Sequence, residues 1–578
     1  MGAGLDAADE GGWGIVWKAV APGCGVALSH ERLRCSTDFP SCLRFISLRE
    51  PCGQAAPLVF LRGRGVGQHR RRMRARDGTF MDIASLQAAY KVILPEAVLI
   101  GTACIMFLAA PFLVPASGKA PEGSRHKWGF LSLFAIAFAC SMIGPIDSMS
   151  AAGSPFQMDG LAWAVRMVSL VLGGILLLVA WNQVDDGVAA ECYACLLAII
   201  AGVNITAASN DLITLFLGLE LVSIPTYVLL YLPRRTPASQ EATLKYFLLS
   251  VFSSGMLLYG FAMIYGATGT TALNSVQRAL STATPSSSPL LLLAVPFIIA
   301  GLGFRVTAVP FHFYAPDVFQ GSPTFMAALL SFVPKVVGFT ALWRLTFLPG
   351  LAATQPGSWS SFWQMALAAF AVLTMFVGNL MALRQTHLHR LLAYSSVAQA
   401  GYMMAGLLAG SGIGGATPGS AALLFYLIAY GAMTIGAFAI LLAASRKDES
   451  IKTVDELSGL ASSSPLAAFL LAFFLLSLTG LPPTAGFLGK FNLFLALWSH
   501  RTPMAYWLSV FMAINAAIAA WYYLRLIGVM YLQPAGDSNL PERRNLPAWV
   551  AGSLCAVATL GLFLAPQIVW DVALGAVK

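Results

Sequence analysis

Charged residues are scarce in this sequence. Of its 578 residues, 11% are Asp, Glu, Lys or Arg, whereas 57% are hydrophobic, and the mean hydropathy is +0.73. An ordinary soluble domain is about one quarter charged. The composition therefore excludes a soluble enzyme and predicts an integral membrane protein, long enough for many helices rather than a single anchor.

Signals for a metal, a nucleotide or a nucleic acid are weak. Cys192 and Cys195 form a lone CxxC, and a zinc or cluster site needs further ligands at compatible spacing, so we interpret the pair as helix packing. The fragment GRGVG lacks the strand-then-helix setting of a nucleotide loop. Membrane topology explains the formal net charge of +9 better than nucleic-acid binding does.

Residues 1–80 differ in character from the rest of the chain. They are rich in Gly, Arg and Cys, show no sustained period, and end in the basic run RGRGVGQHRRRMRARDG. They contain neither a signal peptide nor a segment long enough to span a bilayer. We expect the functional chain to begin near Met81, with residues 1–80 a non-native extension or a poorly ordered tail.

From Met81 onward, apolar runs of about 20 residues predict about fourteen transmembrane helices. One set of alternate loops carries twelve Lys and Arg residues, and the other carries only Arg278 and Arg501. Cytoplasmic loops are enriched in Lys and Arg. The bias predicts that both ends of this membrane part lie on the non-cytoplasmic side, and the arginines just before Met81 violate it.

Two apolar segments are interrupted and carry a cation. Residues 300–325 read AGLGFRVTAVPFHFYAPDVFQGSPTF and contain Arg305, and residues 476–495 read LSLTGLPPTAGFLGKFNLFL and contain Lys490. Prolines at membrane depth free backbone carbonyls, which is tolerated where protein or water satisfies them again. Broken helices in corresponding halves of a polytopic protein indicate an ion path between them.

Other ionisable residues fall inside the predicted spans. Glu220 and Lys335 lie near mid-span, and buried carboxylates and lysines at that depth are expected to have a task. A fixed helix–helix ion pair is the alternative for Glu220, and a purely structural role is the alternative for Lys335. Lys245 lies i,i+4 from Glu241, which fits an interfacial pair as well as a functional one.

Arg305 and His312 are harder to interpret. Arginine effectively never deprotonates in proteins, so Arg305 is not a simple relay, but its charge suits a bidentate pair with Glu220. His312, between Phe311 and Phe313, is either a titrating group or a hydrogen-bonded packing residue.

At these residues the sequence resembles the N-type antiporter-like membrane subunits of proton-pumping NADH:quinone oxidoreductase, the bacterial respiratory complex I. The resemblance covers most of residues 81–578. The matching stretches are LFLGLELVSIPTYVLLY, EATLKYFLLS, GLGFRVTAVPFHFYAPDVFQGSPT, GNLMALRQTHLHRLLAYSSVAQAGYM and LTGLPPTAGFLGKF.

The resemblance implies an all-α polytopic fold with two inverted five-helix repeats, at 189–347 and 361–532. Helices 1–3 would occupy 81–188, and a last helix would lie in 546–578. It also implies a hydrophilic axis along mid-membrane. We expect the proton path to be formed by Glu220, Lys245, Arg305, His312, Lys335 and Lys490.

Family roles carry over to three of these positions: Glu220 as charge partner, Lys335 as central proton carrier and Lys490 as terminal lysine. The sequence departs from the family at two others. Arg305 stands where a lysine is usual, and Gln399 stands where a histidine is common.

The resemblance further implies a multi-pass subunit of the bacterial inner membrane. The chain would hold no cofactor, while NADH, FMN, Fe–S clusters and quinone would bind elsewhere in the complex. Its partners would be lipid and membrane subunits of the M, A, H, J, K and L types, not nucleic acid. The alternatives are a subunit of a multi-component cation/proton antiporter and a subunit of a membrane-bound hydrogenase-type complex.

Overall fold

The structure is a computed structural model that describes residues 83–113, 121–144, 154–233, 236–282, 289–346, 359–410, 418–445, 451–534 and 545–576. The expectations for residues 1–80 and for a start near Met81 lie outside these residues.

The described chain is built from α-helices, with three isolated β-bridges and no β-strand among the described residues. In chain order the helices are α1 (Ile83–Leu113), α2 (Ser124–Ser141), α3 (Gly160–Ala180), α4 (Ala189–Ala208), α5 (Leu212–Tyr231), α6 (Pro237–Thr268), α7 (Leu273–Thr282), α8 (Pro289–Arg305), α9 (Ala315–Gly321), α10 (Thr324–Thr346), α11 (Trp359–Leu383), α12 (Leu388–Leu408), α13 (Gly419–Ala444), α14 (Leu460–Ser463), α15 (Pro465–Thr479), α16 (Ala485–Ser499), α17 (Pro503–Leu532), α18 (Leu546–Leu564) and α19 (Pro566–Gly575).

The all-α membrane fold is confirmed. Within the described residues, eleven helices are long and apolar enough to cross a membrane, and α8 and α15 are shorter apolar helices. The count of fourteen, the membrane orientation and the division into two inverted repeats stay predictions. The three remaining predicted spans, at about 128–146, 290–314 and 465–498, coincide with α2, with α8 and with the broken helix formed by α15 and α16.

Both predicted interruptions are present. Helix α8 ends at Arg305 and is therefore shorter than the predicted span at 290–314. An irregular segment leads from it into α9. Helix α15 ends at Thr479, and Gly480 follows at φ 91°, a backbone conformation that glycine adopts without a Cβ penalty. Each interruption contains one cis peptide bond before proline, at Pro310 and at Pro483.

Burial places the core of the bundle around α10, α12 and α13. Residues 324–345 are buried throughout, and nearly every residue of α12 and α13 is buried as well. Helices α6, α11 and α17 instead expose large apolar side chains along one side, as expected of helices that face lipid. The central helix α10 carries Lys335, so this lysine lies at the centre of the fold.

Candidate functional site

Glu220 and Arg305 form an ion pair between α5 and α8. Arg305 Nη2 lies 2.7 Å from Glu220 Oε1, and the guanidinium also donates to the Leu219 carbonyl oxygen and to Ser223 and Ser254. The Arg305 side chain is 3% exposed and that of Glu220 is 22% exposed. The structure therefore brings together the pair expected from the sequence, through one carboxylate oxygen rather than two.

Lys335 is completely buried in the middle of α10. Its ammonium donates to the Ser396 hydroxyl on α12 at 2.5 Å and lies 5.8 Å from the centroid of the Tyr430 ring. No carboxylate of the described residues forms an ion pair with it. A buried ammonium without a counter-ion is costly, and the cost disappears when the amine gives up its proton.

Hydroxyl groups on three helices continue from Lys335. Ser396 Oγ lies 2.8 Å from Tyr430 OH on α13, and its neighbour Ser395 shares a hydrogen bond with Tyr523 on α17. In both pairs either oxygen can be the donor. A hydroxyl that both donates and accepts can pass a proton in either direction.

Gln399 links these hydroxyls to the second broken helix. Its amide nitrogen lies 3.3 Å from Tyr523 OH and donates to the Leu478 carbonyl at 3.2 Å, and its oxygen accepts from Tyr426. Both the nitrogen and the oxygen of this amide therefore make hydrogen bonds. It orders the hydroxyls around it but carries no charge itself.

Lys490 completes this arrangement at the break between α15 and α16. Its ammonium donates to the carbonyl oxygens of Leu478 at 2.7 Å and Thr479 at 3.0 Å, and lies 4.9 Å from the Tyr402 ring centroid. Those carbonyls belong to the last turn of α15, where no amide of the helix donates to them and where the negative end of the helix dipole lies. Interrupting the helix thus creates a site for the lysine cation.

Lys245 belongs to a different cluster. Its ammonium lies 2.7 Å from Glu241 and 2.7 Å from Asp317 on α9, and the other Asp317 oxygen lies 2.7 Å from Arg390 on α12. The Lys245, Asp317 and Arg390 side chains are partly exposed. Asp317 therefore ties the short half of the first broken helix to α6 and α12.

His312 lies in the irregular segment between α8 and α9. Its ring centroid is 6.3 Å from that of Tyr394, and its Nδ1 makes no hydrogen bond to any described residue. No described contact joins it to Lys335 or to the Glu220–Arg305 pair. The structure therefore does not bring His312 together with the other expected path residues.

Sequence reasoning missed the polar residues around Gln399. Tyr426, Tyr430 and Tyr523 lie on strongly apolar helices and read there as core side chains. The tyrosine hydroxyls could have indicated these hydrogen bonds, because a buried tyrosine usually finds a hydrogen-bond partner.

Replacing Asp317 by Asn is expected to loosen α9, because Lys245 and Arg390 both lose their carboxylate. Two partly exposed pairs contribute up to about 1 kcal/mol together, so opening of residues 306–321 should become about fivefold more frequent. Hydrogen–deuterium exchange of the purified protein measures this. Glu241→Gln is the control, because it removes the more exposed partner of Lys245 only. Equal exchange in both variants would show that Asp317 does not hold α9.

Comparisons with known proteins show the family to which the chain is related. Residues 209–518 match the family described as NADH:quinone oxidoreductase/Mrp antiporter, transmembrane. NADH-quinone oxidoreductase subunit N of Trichlorobacter lovleyi is 36% identical over 494 residues, which cover 84% of this chain and 96% of the relative. Subunit N 2 of Symbiobacterium thermophilum is 39% identical over 429 residues, 72% of this chain and 82% of the relative.

Solved structures place the fold in the same group. A chain of respiratory complex I from Thermus thermophilus has a TM-score of 0.68 and 29% identity, covering 83% of this chain and 99% of that chain. A chain of the Mrp complex from Dietzia has a TM-score of 0.69, covers 84% of this chain and 97% of that chain, and at 20% identity shares the fold alone. The long match to named relatives across nearly their whole length decides the family: the chain belongs to the NADH-quinone oxidoreductase subunit N family, within the NADH:quinone oxidoreductase/Mrp antiporter membrane proteins.

Proposed function

We propose that this chain moves protons across the bacterial inner membrane as a subunit of NADH:quinone oxidoreductase. In that complex, electrons pass from NADH through FMN and Fe–S clusters to quinone in other subunits. Neighbouring antiporter-like membrane subunits and lipid are its partners. The single observation that supports proton transfer is the row of buried polar side chains between Lys335 and Lys490.

The proposed path starts at Lys335. Its ammonium gives a proton to Ser396, whose hydroxyl passes its own proton on, and a water molecule connects this branch to the adjacent Ser395–Tyr523 pair. Tyr523 lies next to Gln399, whose amide holds the same Leu478 carbonyl that Lys490 binds. Neither this amide nor this carbonyl carries the proton, so a second water molecule passes it from Tyr523 to the neutral amine of Lys490, which then releases it beyond the second break.

Glu220 and Arg305 control this transfer through charge. Arg305 keeps its proton, so it contributes a fixed positive charge whose effect on Lys335 depends on whether Glu220 neutralises it. While the Glu220–Arg305 ion pair is formed, Glu220 neutralises Arg305, and the protonated form of Lys335 is more stable than when the pair is broken. Opening of the pair, driven by quinone chemistry elsewhere in the complex, repels the proton from Lys335. Lys245 and His312 have no step in this path.

Lys490→Met tests the proposed path in the native host. The variant keeps most of the length of the side chain but cannot bind a proton. NADH-driven acidification of inverted membrane vesicles should therefore fall about tenfold, less than the full contribution of a positioned proton-transfer group. The amount of assembled complex is measured in the same membranes. Lys452→Met, in a loop, is the control and should acidify like wild type. Normal acidification by an assembled Lys490→Met complex would contradict the path.

A cation/proton antiporter subunit is the second candidate, because a chain of the Mrp complex has the same fold. The subunit N relatives favour the first candidate. Acidification that requires sodium or potassium and proceeds without NADH would support the antiporter instead.

A further inference from the structure

A second group of buried charges lies outside the proposed path. Glu96 on α1 and Arg166 on α3 form an ion pair, with Arg166 Nε 3.0 Å from Glu96 Oε1 and Arg166 Nη2 3.1 Å from Glu96 Oε2. Their side chains are 0% and 2% exposed. The proposed proton path from Lys335 to Lys490 does not include this pair.

Asp159 and Arg344 form a second pair beside the first. Two Arg344 nitrogens lie 2.5 Å and 2.8 Å from the two Asp159 oxygens, so the contact is bidentate. Arg344 also donates to the Ala207 carbonyl at 3.1 Å, and Asp159 accepts from the Ala162 amide at the start of α3. The Asp159 side chain is 39% exposed, so this pair connects the buried group to the surface.

Arg166 stands between the two carboxylates. It interacts electrostatically with Glu96, Asp159 and Arg344, and its Nη2 donates to the Val92 carbonyl at 2.9 Å. Glu96 Oε1 lies 3.0 Å from Arg166 Nε but has no contact with hydrogen-bond geometry to any described residue, although Glu96 is completely buried. The group therefore holds two cations and two anions, and one carboxylate oxygen is held by charge without a hydrogen bond.

The position of the group relates it to the proton path. Asp159 caps α3 at the end that the loop charges assign to the non-cytoplasmic side, and Arg344 lies in the last turn of α10. Lys335 is nine residues earlier on the same helix, about 14 Å away along the helix axis. The central lysine and this group thus share one rigid helix.

A purely structural role explains the group poorly. Replacing a buried ion pair by neutral side chains of similar shape is often neutral or stabilising, so stability alone gives little reason to keep it. Ionisable residues within a membrane protein are costly and usually mark an ion or proton pathway.

We propose that Glu96 is a proton-binding residue that exchanges protons with the non-cytoplasmic water at the partly exposed Asp159. Water at Asp159 supplies a proton, which adds to Glu96 Oε1 and forms the neutral acid, while Arg166 stays charged and turns its pairing toward Asp159. On release the proton passes to water at Asp159, and the Glu96–Arg166 pair forms again. This inference rests on the proposed function of the chain.

The double variant Glu96→Gln with Arg166→Met tests the proposal. It removes both charges at nearly constant volume, so assembly of the complex and NADH–quinone turnover should remain near wild type. Acidification per NADH oxidised should fall about fivefold, a smaller loss than that of a complete proton-transfer step. Wild-type acidification by the assembled double variant would overturn the proposal.

Two further variants separate the possible outcomes. If the double variant does not assemble, Glu96→Gln alone is measured, since its amide can still accept from Arg166. Wild-type acidification by this single variant overturns the proposal, and so does failure of both variants to assemble, because the pair would then be structural. Lys335→Ala is measured in parallel: normal pumping there would contradict the proposed function itself, whereas impaired pumping there with normal Glu96 variants would contradict this inference alone.

Discussion

Replacing Lys335 by Ala is expected to abolish NADH-driven proton pumping, with a loss of at least about a hundredfold, the lower limit of what a positioned proton-transfer group contributes. Lys335 is the start of the polar row and is completely buried, with Ser396 as its one hydrogen-bond partner among the described residues. The measurement is acidification of inverted vesicles at equal amounts of assembled complex.

Three companion variants make the Lys335 result specific. Lys335→Met fills the volume that Ala would leave empty and should be equally inactive, which excludes a cavity effect. Lys335→Arg keeps the positive charge but holds its proton permanently, so it should also fail. Lys91→Ala changes an exposed lysine of α1 and should pump like wild type. An active Lys335→Arg complex would show that the charge, rather than proton exchange, is what matters.

Gly486→Ala is expected to prevent correct assembly of the second broken helix. A Cβ at this position would lie 1.8 Å from the Ser477 carbonyl oxygen, and backbone cannot move aside as a flexible side chain can. Overpacking of a tight core costs about 1–3 kcal/mol and occasionally more. We expect a cost of about 3 kcal/mol or above, and at least a tenfold decrease in the amount of subunit found in the assembled complex.

Gly528→Ala is the matched control for that substitution. Gly528 lies within α17, and a Cβ there would meet no atom within 4 Å. Because alanine favours a helix by up to about 1 kcal/mol relative to glycine, this variant should assemble at least as well as wild type. Quantitative immunoblots of native gels compare the two. Equal assembly of both variants would show that α15 and α16 can separate without loss of the fold.

Sequence reasoning located the charged residues of the path better than their surroundings. Glu220, Lys335 and Lys490 stand out because a charge in an apolar span has few explanations. The pairing of Glu220 with Arg305 followed from charge alone. The exact end of α8 at Arg305 did not, because Pro310 predicts a break in this segment but does not fix the residue at which the helix ends.

Two kinds of residue were not predictable from one sequence. Glu96 and Arg166 lie on helices separated in the chain, and their contact depends on how α1 and α3 are rotated about their axes. Tyr523 reads as an ordinary core residue until the position of its hydroxyl opposite Ser395 is known. Asp159 lies just before a predicted span, so the sequence suggests a charged residue of a loop. In the structure it forms an ion pair with Arg344, in the last turn of α10.

The contact of Lys490 with two backbone carbonyls has a mechanical consequence. Carbonyl oxygens cannot take up a proton, so these two acceptors stay the same at every stage of turnover. The two hydrogen bonds of the ammonium exist only while α16 holds it against the end of α15. A small slide of one half-helix past the other would therefore eject the proton without any other group changing its ionisation, and movement of the backbone alone would suffice as the trigger.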